Sequence, residues 1–254
     1  VAKTKKAYFN WSSGKDSALA LYKILQQNEY EIGTLLTNVN QDFSRISMHG
    51  LHESLLDAQV QSLGLPLQKL YFPAEVTMEL YDQKMHETVS GLKVQGYDYA
   101  VFGDIFLEEL KAYRDSKLAE VNVQGVYPLW KQNSHDLMHE FLDLGFKAIT
   151  VCVNAKVFGE GSPAAGMEFV GRIIDEQFLK DLSESVDVCG ENGEFHTFVF
   201  DGPIFSKPID FKIGEKVLRS YTLHDEDEDN CHQDSEKQKN YDTSFYYCDL
   251  ILEP

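Results

Sequence analysis

The chain has 254 residues, 43% hydrophobic and 25% charged, enough for a sizeable core in one large domain or two modest ones. Its 41 acidic residues against 23 basic ones leave a formal charge of −18, which opposes nucleic-acid binding unless a local basic groove overrides it. The lysines are scattered and no apolar run approaches the roughly 20 residues of a membrane span, so neither a nucleic-acid nor a membrane partner is expected.

The basic start, Val1 to Lys6, leads into a short strand rather than the apolar core of an export signal. Cys152, Cys189, Cys231 and Cys248 are widely spaced with no C-x-x-C pair, which fits neither a disulfide framework nor a zinc site. Both features predict a reducing, cytoplasmic setting. Cys152 and Cys189 sit in apolar, strand-like surroundings and read as inert core residues.

In chain order, Ala7 to Trp11 reads as a buried strand. The polar turn Ser12-Ser13-Gly14-Lys15-Asp16-Ser17 follows, and Ala18, Leu19, Leu21, Tyr22 and Leu25 then recur at helical spacing. Ile32 to Val39 is a second strand, and Gln41 to Ser47 a polar loop. A helix running from Met48-His49-Gly50 to about Ser62 ends at Gly64-Leu65-Pro66. Leu67 to Phe72 is a strand, Val76 to about Gln95 a helix stopped by Gly96, and Tyr99 to Phe102 a strand ending in Gly103-Asp104. Leu107 to about Val121 is helical, Val126 to Trp130 extended, Ser134 to Leu144 a helix capped by Ser134, and Phe146 to Val153 a strand. This alternation predicts a parallel sheet covered on both faces.

Beyond residue 153 the pattern changes. Phe158 to Pro163 is a loop, and Gly171 to Leu182 a helix with Ile173, Ile174 and Phe178 inward. Glu194 to Val199 alternates roughly as a strand with one wet face, and Phe205 to Tyr221 reads as further short strands. The expected division is residues 1–140, then a smaller α+β unit over 141–222, then an acidic tail and C-terminal segment over 223–254. The run Asp225 to Asp229 reads as solvated chain. Phe245-Tyr246-Tyr247 with Leu250, Ile251 and Leu252 suits a strand that docks back or pairs with another subunit, so a homodimer is one expectation.

Ligands of open α/β sheets bind beyond the carboxyl ends of the strands. The turn Ser12 to Ser17, Thr37-Asn38 and Gly103-Asp104 all fall on that edge. Hydroxyls of Ser12, Ser13 and Ser17, close backbone approach at Gly14 and the charge of Lys15 suit a phosphate at a helix N-terminus. Asp16 and Asp104 suit Mg²⁺, and the competing reading of each is a helix cap. In Glu191-Asn192-Gly193-Glu194-Phe195-His196, two acids bracket a turn and His196 lies two residues further, on the strand face of Glu194. The trio suits orienting ammonia, deprotonating ammonium or recognising a cation. The competing reading is a hairpin turn with solvated acids, because Asn-Gly favours hairpins. His49 and His52 share a helix face near the second strand, and Arg114 reads as a surface ion pair unless it folds back over the crevice.

Ser-Ser-Gly-Lys-Asp-Ser after a first strand resembles the S-G-G-x-D-S loop (PP-loop) of ATP pyrophosphatases, with Ser13 in place of the usual first Gly. Cys189 to Thr197, continuing to Asp201-Gly202-Pro203-Ile204-Phe205, resembles the signature of the diphthine–ammonia ligase family. Phe102-Gly103-Asp104, Pro128-Leu129-Trp130 and Gly171-Arg172 carry the same resemblance, which spans residues 6 to 210. Asn192 and His196 depart from the family's second Gly and acidic residue, and are similar to a side branch.

The resemblance implies a PP-loop fold (adenine nucleotide alpha hydrolase-like, Rossmann-like) followed by the α+β unit. It also implies adenylation of a carboxylate by ATP with Mg²⁺, and displacement of AMP by ammonia. On that reading Lys15, Asp16, Asp104, Glu191, Glu194 and His196 are catalytic. Ser12, Ser13, Gly14, Lys15, Asp16, Ser17, Thr37, Asn38 and Gly103 hold the nucleotide, and Asp16 and Asp104 the metal. In the family the acceptor is a modified histidine of translation elongation factor 2. A small-molecule carboxylate, a non-catalytic nucleotide-binding protein and a tRNA-modifying PP-loop enzyme are the alternatives.

Overall fold

A computed structural model describes residues 4–46, 50–159, 163–221 and 243–253. The expectations for His49, for the middle of the 158–163 loop, and for Cys231 and the acidic run 225–229 fall outside them. The elements of the first unit are β1 (Lys5–Asn10), α1 (Lys15–Gln26), β2 (Tyr30–Asn40), β3 (Arg45–Ile46), α2 (Glu53–Leu63), β4 (Leu67–Phe72), α3 (Met78–Val94), β5 (Tyr99–Val101), α4 (Glu108–Glu120), β6 (Gln124–Val126) and α5 (Ser134–Asp143). Those of the second are β7 (Lys147–Asn154), α6 (Ala155–Gly159), α7 (Pro163–Phe169), α8 (Glu176–Asp181), β8 (Phe195–Asp201), β9 (Phe211–Tyr221) and β10 (Thr243–Leu252).

The first sheet is parallel apart from the two-residue β3, and runs β4, β2, β1, β5, β6. The chain winds outward from β1 through β2 to β4, crosses back on α3, and continues through β5 to β6. The order reverses at β1, the switch point where such sheets open a crevice at the carboxyl ends of their strands. Alternation along β1 explains its burial on both faces. Ala7, Phe9 and Trp11 join one core, whereas Tyr8 joins another with Leu36, Val89, Leu92 and Phe102.

The second sheet is antiparallel, in the order β8, β7, β10, β9. Its core is continuous with the first core on the Phe9 side, which extends through Phe141, Ile149, Phe178, Phe198 and Leu250. The two units share one apolar interior. The C-terminal strand docks back between β7 and β9, so the second unit draws on residues beyond 222. Among the described residues no helix is long and apolar enough to cross a membrane.

Six local readings need correction. Of the loop expected over 158–163, Phe158 and Gly159 belong to α6 and Pro163 opens α7. Of the extended piece expected over 126–130, only Val126 is strand, and Trp130 N–H closes a turn on the Tyr127 carbonyl. The helix expected over 171–182 is confined to α8, capped by the Asp175 carboxylate; Gly171 adopts φ 73° and Ile173, 41% exposed, bridges to Ile149. The fifth helix is capped by Asn133, whose side-chain oxygen accepts from the His135 and Asp136 N–H groups, not by Ser134. His52 is likewise a cap, accepting from Ser54 N–H, rather than part of a helical face. The short strands expected over 205–221 are one eleven-residue strand, β9.

One buried side chain ties the units together. Gln59 on α2 is fully buried; its Oε1 accepts from Trp11 Nε1 at 3.1 Å, and its Nε2 donates to the Ser13 carbonyl at 3.1 Å and the Val199 carbonyl at 2.6 Å. A substitution that leaves those three groups unpaired costs their desolvation. Gln59→Leu is therefore expected to lower the urea unfolding free energy by about 2–4 kcal/mol, where a surface Gln→Leu change would move it by roughly 0.5.

Candidate active site

The turn between β1 and α1 lies at the switch point, and its backbone is held from both units. Ser12 N–H donates to Ser17 Oγ at 3.2 Å, the two hydroxyls lie 2.8 Å apart, and Gly14 N–H reaches Ser12 Oγ at 3.3 Å. From the second unit, Val199 N–H donates to the Ser13 carbonyl at 3.0 Å, and Thr197 Oγ1 accepts from Lys15 N–H at 3.0 Å. Ser13 is fully buried at φ 73°, the left-handed region where glycine is at ease. Among the described residues its hydroxyl has no hydrogen-bond partner. Gly103 faces this turn closely: a Cβ there would lie 3.0 Å from Ser17 N and 3.1 Å from the Asp16 carbonyl carbon.

Lys15 does not face the crevice. Only 3% of its side chain is exposed, and Nζ donates to both Asp16 carboxylate oxygens at 2.8 and 2.7 Å and to the Cys189 carbonyl. The expected point charge for a phosphate is instead a clip between the turn and the second unit. Burial alone would lower the Lys15 pKa, but the charge of Asp16 leads the opposing effects and holds it above its ordinary value. Asp16 keeps 31% of its side chain exposed, and burial raises its pKa against the pull of Lys15.

The Cys189–Glu194 turn supplies the opposite wall. Glu191 Oε1 accepts the Ile105 N–H at 2.8 Å, joining this turn to the end of β5. Burial, and then the Asp16 charge, push Glu191 from an ordinary 4.5 to about 7. Asp104 pairs with Arg114, whose guanidinium carbon lies 4.7 Å from the centre of the Phe102 ring. The ion pair expected of Arg114 is thus present, and its partner is Asp104 at the end of β5. Burial pushes the Cys189 thiol up to about 12, in keeping with an inert core residue.

Ser12 to Ser17, Gly103, Asp104 and Glu191 thus converge, with Thr37 and Asn38 at the β2 side. The Thr37 hydroxyl is taken by the Trp11 carbonyl at 2.7 Å, so it braces the sheet, and only Asn38 of the two stays half-exposed. Two expected site residues stand apart. Glu194 is buried; its carboxylate accepts from the N–H of Asp187 at 3.1 Å, the N–H of Asn192 at 2.9 Å and the Asn192 amide at 3.0 Å. It braces the turn rather than facing a ligand. His196 alternates with Thr197 along β8, opposite Cys152, so it takes the sheet face away from Lys15.

Three contributors escaped the sequence reading: Gln59, Thr197 and Asp187, whose carboxylate accepts the Glu191 N–H at 3.0 Å. Gln59 carried a signal, a polar residue in the buried helical row with Leu55, Leu56 and Ser62. Thr197 lay inside the Cys189–Thr197 motif.

Among the described residues no three His, Cys, Asp or Glu side chains form a ready metal site. The two carboxylates expected to hold Mg²⁺ are each ion-paired in this structure, Asp16 with Lys15 and Asp104 with Arg114, and an ion there would take most of its ligands from phosphates and water.

Glu191 also makes stability depend on pH. Its folded value lies above its unfolded one, so the folded chain binds the extra proton and stability falls as pH rises from about 4.5 to about 7. Glu191→Gln keeps the acceptor for Ile105 N–H and removes this loss. Its unfolding free energy is expected to exceed that of the parent by about 2–3 kcal/mol at pH 8, with the gain vanishing near pH 4.5. Urea titrations at the two pH values check this.

The mouse diphthine–ammonia ligase is 24% identical over 242 residues, covering 82% of this chain and 84% of the relative. The human diphthine–ammonia ligase is 28% identical over 181 residues, covering 64% and 61%. A solved Methanocaldococcus jannaschii structure, described as a predicted subunit of tRNA methyltransferase, is 19% identical with a TM-score of 0.41, covering 57% of this chain and 80% of that one. The diphthamide synthase N-terminal domain model matches residues 5–125 and the C-terminal domain model residues 133–225. The chain belongs to the diphthamide synthase family.

Proposed function

We propose that the chain is an ATP-dependent amide-forming ligase that adenylates a diphthine-type carboxylate and amidates it with ammonia, releasing AMP and pyrophosphate. The observation that carries this is the convergence of two motifs far apart in sequence. The phosphate-type turn and the Glu191 turn meet through Lys15 on the Cys189 carbonyl, and Glu191 on the Ile105 N–H ties the second turn to the neighbouring strand end at Gly103-Asp104.

On this reading the turn Ser12 to Ser17, at the positive end of α1, holds the departing pyrophosphate. Asn38 lies where adenine and ribose would sit along β2. Asp16 and Asp104 would hold Mg²⁺, which supplies charge neutralisation at the phosphates. Glu191, near neutrality, takes a proton from ammonium and leaves ammonia to attack the acyl carbon. Lys15 keeps the carboxylates of this buried cluster compatible with one another.

The direct test supplies ATP, Mg²⁺, ammonium and diphthine-bearing elongation factor 2, and follows AMP and pyrophosphate. Release that depends on the acceptor supports the ligase, whereas tight nucleotide binding without turnover supports a sensor. Asp16→Asn is expected to cut pyrophosphate release by about 100-fold with the circular dichroism spectrum unchanged. In the parent, amidation should climb with pH up to about 7 and then level, because the base works deprotonated. Glu191→Gln should lose that limb along with most of the rate; a limb that survives in the variant assigns the titration elsewhere.

A further inference from the structure

The phosphate-type turn carries one lysine, and the fold has turned it away. Lys15 is buried, its ammonium spent on Asp16 and the Cys189 carbonyl. A triphosphate at this edge needs a cation that faces it. Arg114 is placed for that. It stands on α4, its side chain 30% exposed, and it reaches Asp104, which directly follows Gly103. Gly103 itself packs against the backbone of Asp16 and Ser17 at the start of α1, where a Cβ would be crowded at 3.0 to 3.2 Å. The guanidinium lies 4.7 Å from the centre of the Phe102 ring, and that ring stacks on Tyr127 with centroids 5.3 Å apart. The guanidinium thus rests against an apolar shelf and remains partly exposed beside Asp104, where an anion can reach it.

We infer that Arg114 is the phosphate-binding cation of this site. Asp104 holds it in the ligand-free chain, and it passes to the nucleotide when the divalent ion engages Asp104. This rests on the reading of the turn as a nucleotide site. A guanidinium suits the exchange because its planar fork meets carboxylate and phosphate oxygens with the same geometry. The exchange also makes the site selective for the metal–nucleotide complex, since free nucleotide would face Arg114 still paired to Asp104.

The test uses calorimetry on the full chain with two probes, inorganic pyrophosphate and the non-hydrolysable α,β-methylene ATP, each with and without Mg²⁺. With Mg²⁺, Arg114→Ala should weaken both probes by about 10- to 100-fold, and Arg114→Lys should recover part of the loss. Without Mg²⁺, Asp104→Asn should bind pyrophosphate more tightly than the parent, because it frees Arg114. The gain should vanish in Asp104→Asn with Arg114→Ala.

Parent-like affinity in Arg114→Ala with only a lowered melting temperature would make the pair a structural ion pair and overturn the inference. Unchanged probe affinity with a raised KM for the acceptor would overturn it too, in favour of a carboxylate contact. A gain that persists in the double variant assigns it to removal of the Asp104 charge, and counts against the exchange. A parent chain that binds neither probe overturns the nucleotide reading of the turn itself, and the role of Arg114 with it.

Discussion

The constraint on which the rest of the site depends is the pinning of the turn between β1 and α1 by an edge strand of the other sheet. Val199 N–H on the Ser13 carbonyl and Thr197 Oγ1 on Lys15 N–H fix two consecutive parts of the turn from β8, and Gln59 adds a third bond from α2. To present its carbonyl to those donors, Ser13 adopts the left-handed backbone, a cost of about 1–2 kcal/mol for a non-glycine residue. Two hydrogen bonds of about 1 kcal/mol each offset it. The turn's shape is therefore a property of both units, and neither would hold it alone.

The same packing sets the electrostatics. The approach of the Cys189–Glu194 turn to α1 brings Glu191 under the influence of Asp16, Asp104 and Lys15 in a site that excludes much of the solvent. In such surroundings burial outweighs the stabilising contacts, and Glu191 moves towards neutrality. Two cations respond differently. Lys15, a flexible point charge, is drawn inward, whereas Arg114, its guanidinium 4.7 Å from the Phe102 ring centre, stays partly exposed beside Asp104.

Much of the first unit was legible because its signals are local. Buried parallel strands are short apolar runs, helices repeat at 3.6 residues, and Gly64 and Gly96 stop their helices with left-handed backbone. The segment over 155–182 was less legible. There Gly171 turns the chain left-handed and Ile173 pairs with Ile149, a partner more than twenty residues away that periodicity cannot see. β9 looked broken for a similar reason: its pairing partner is β10, at the other end of the chain.

Motif spacing put Ser12 to Ser17, Gly103-Asp104 and Glu191 at strand ends and turns, and the structure brings them together. Spacing could not decide which way those side chains point. Lys15 turned inward, Glu194 closed on its own turn, His196 took the far face of β8, and Arg114 folded back to Asp104. Each outcome depends on a partner distant in sequence and on the cost of leaving a buried charge or N–H group unpaired, which is known only once the two sheets have packed.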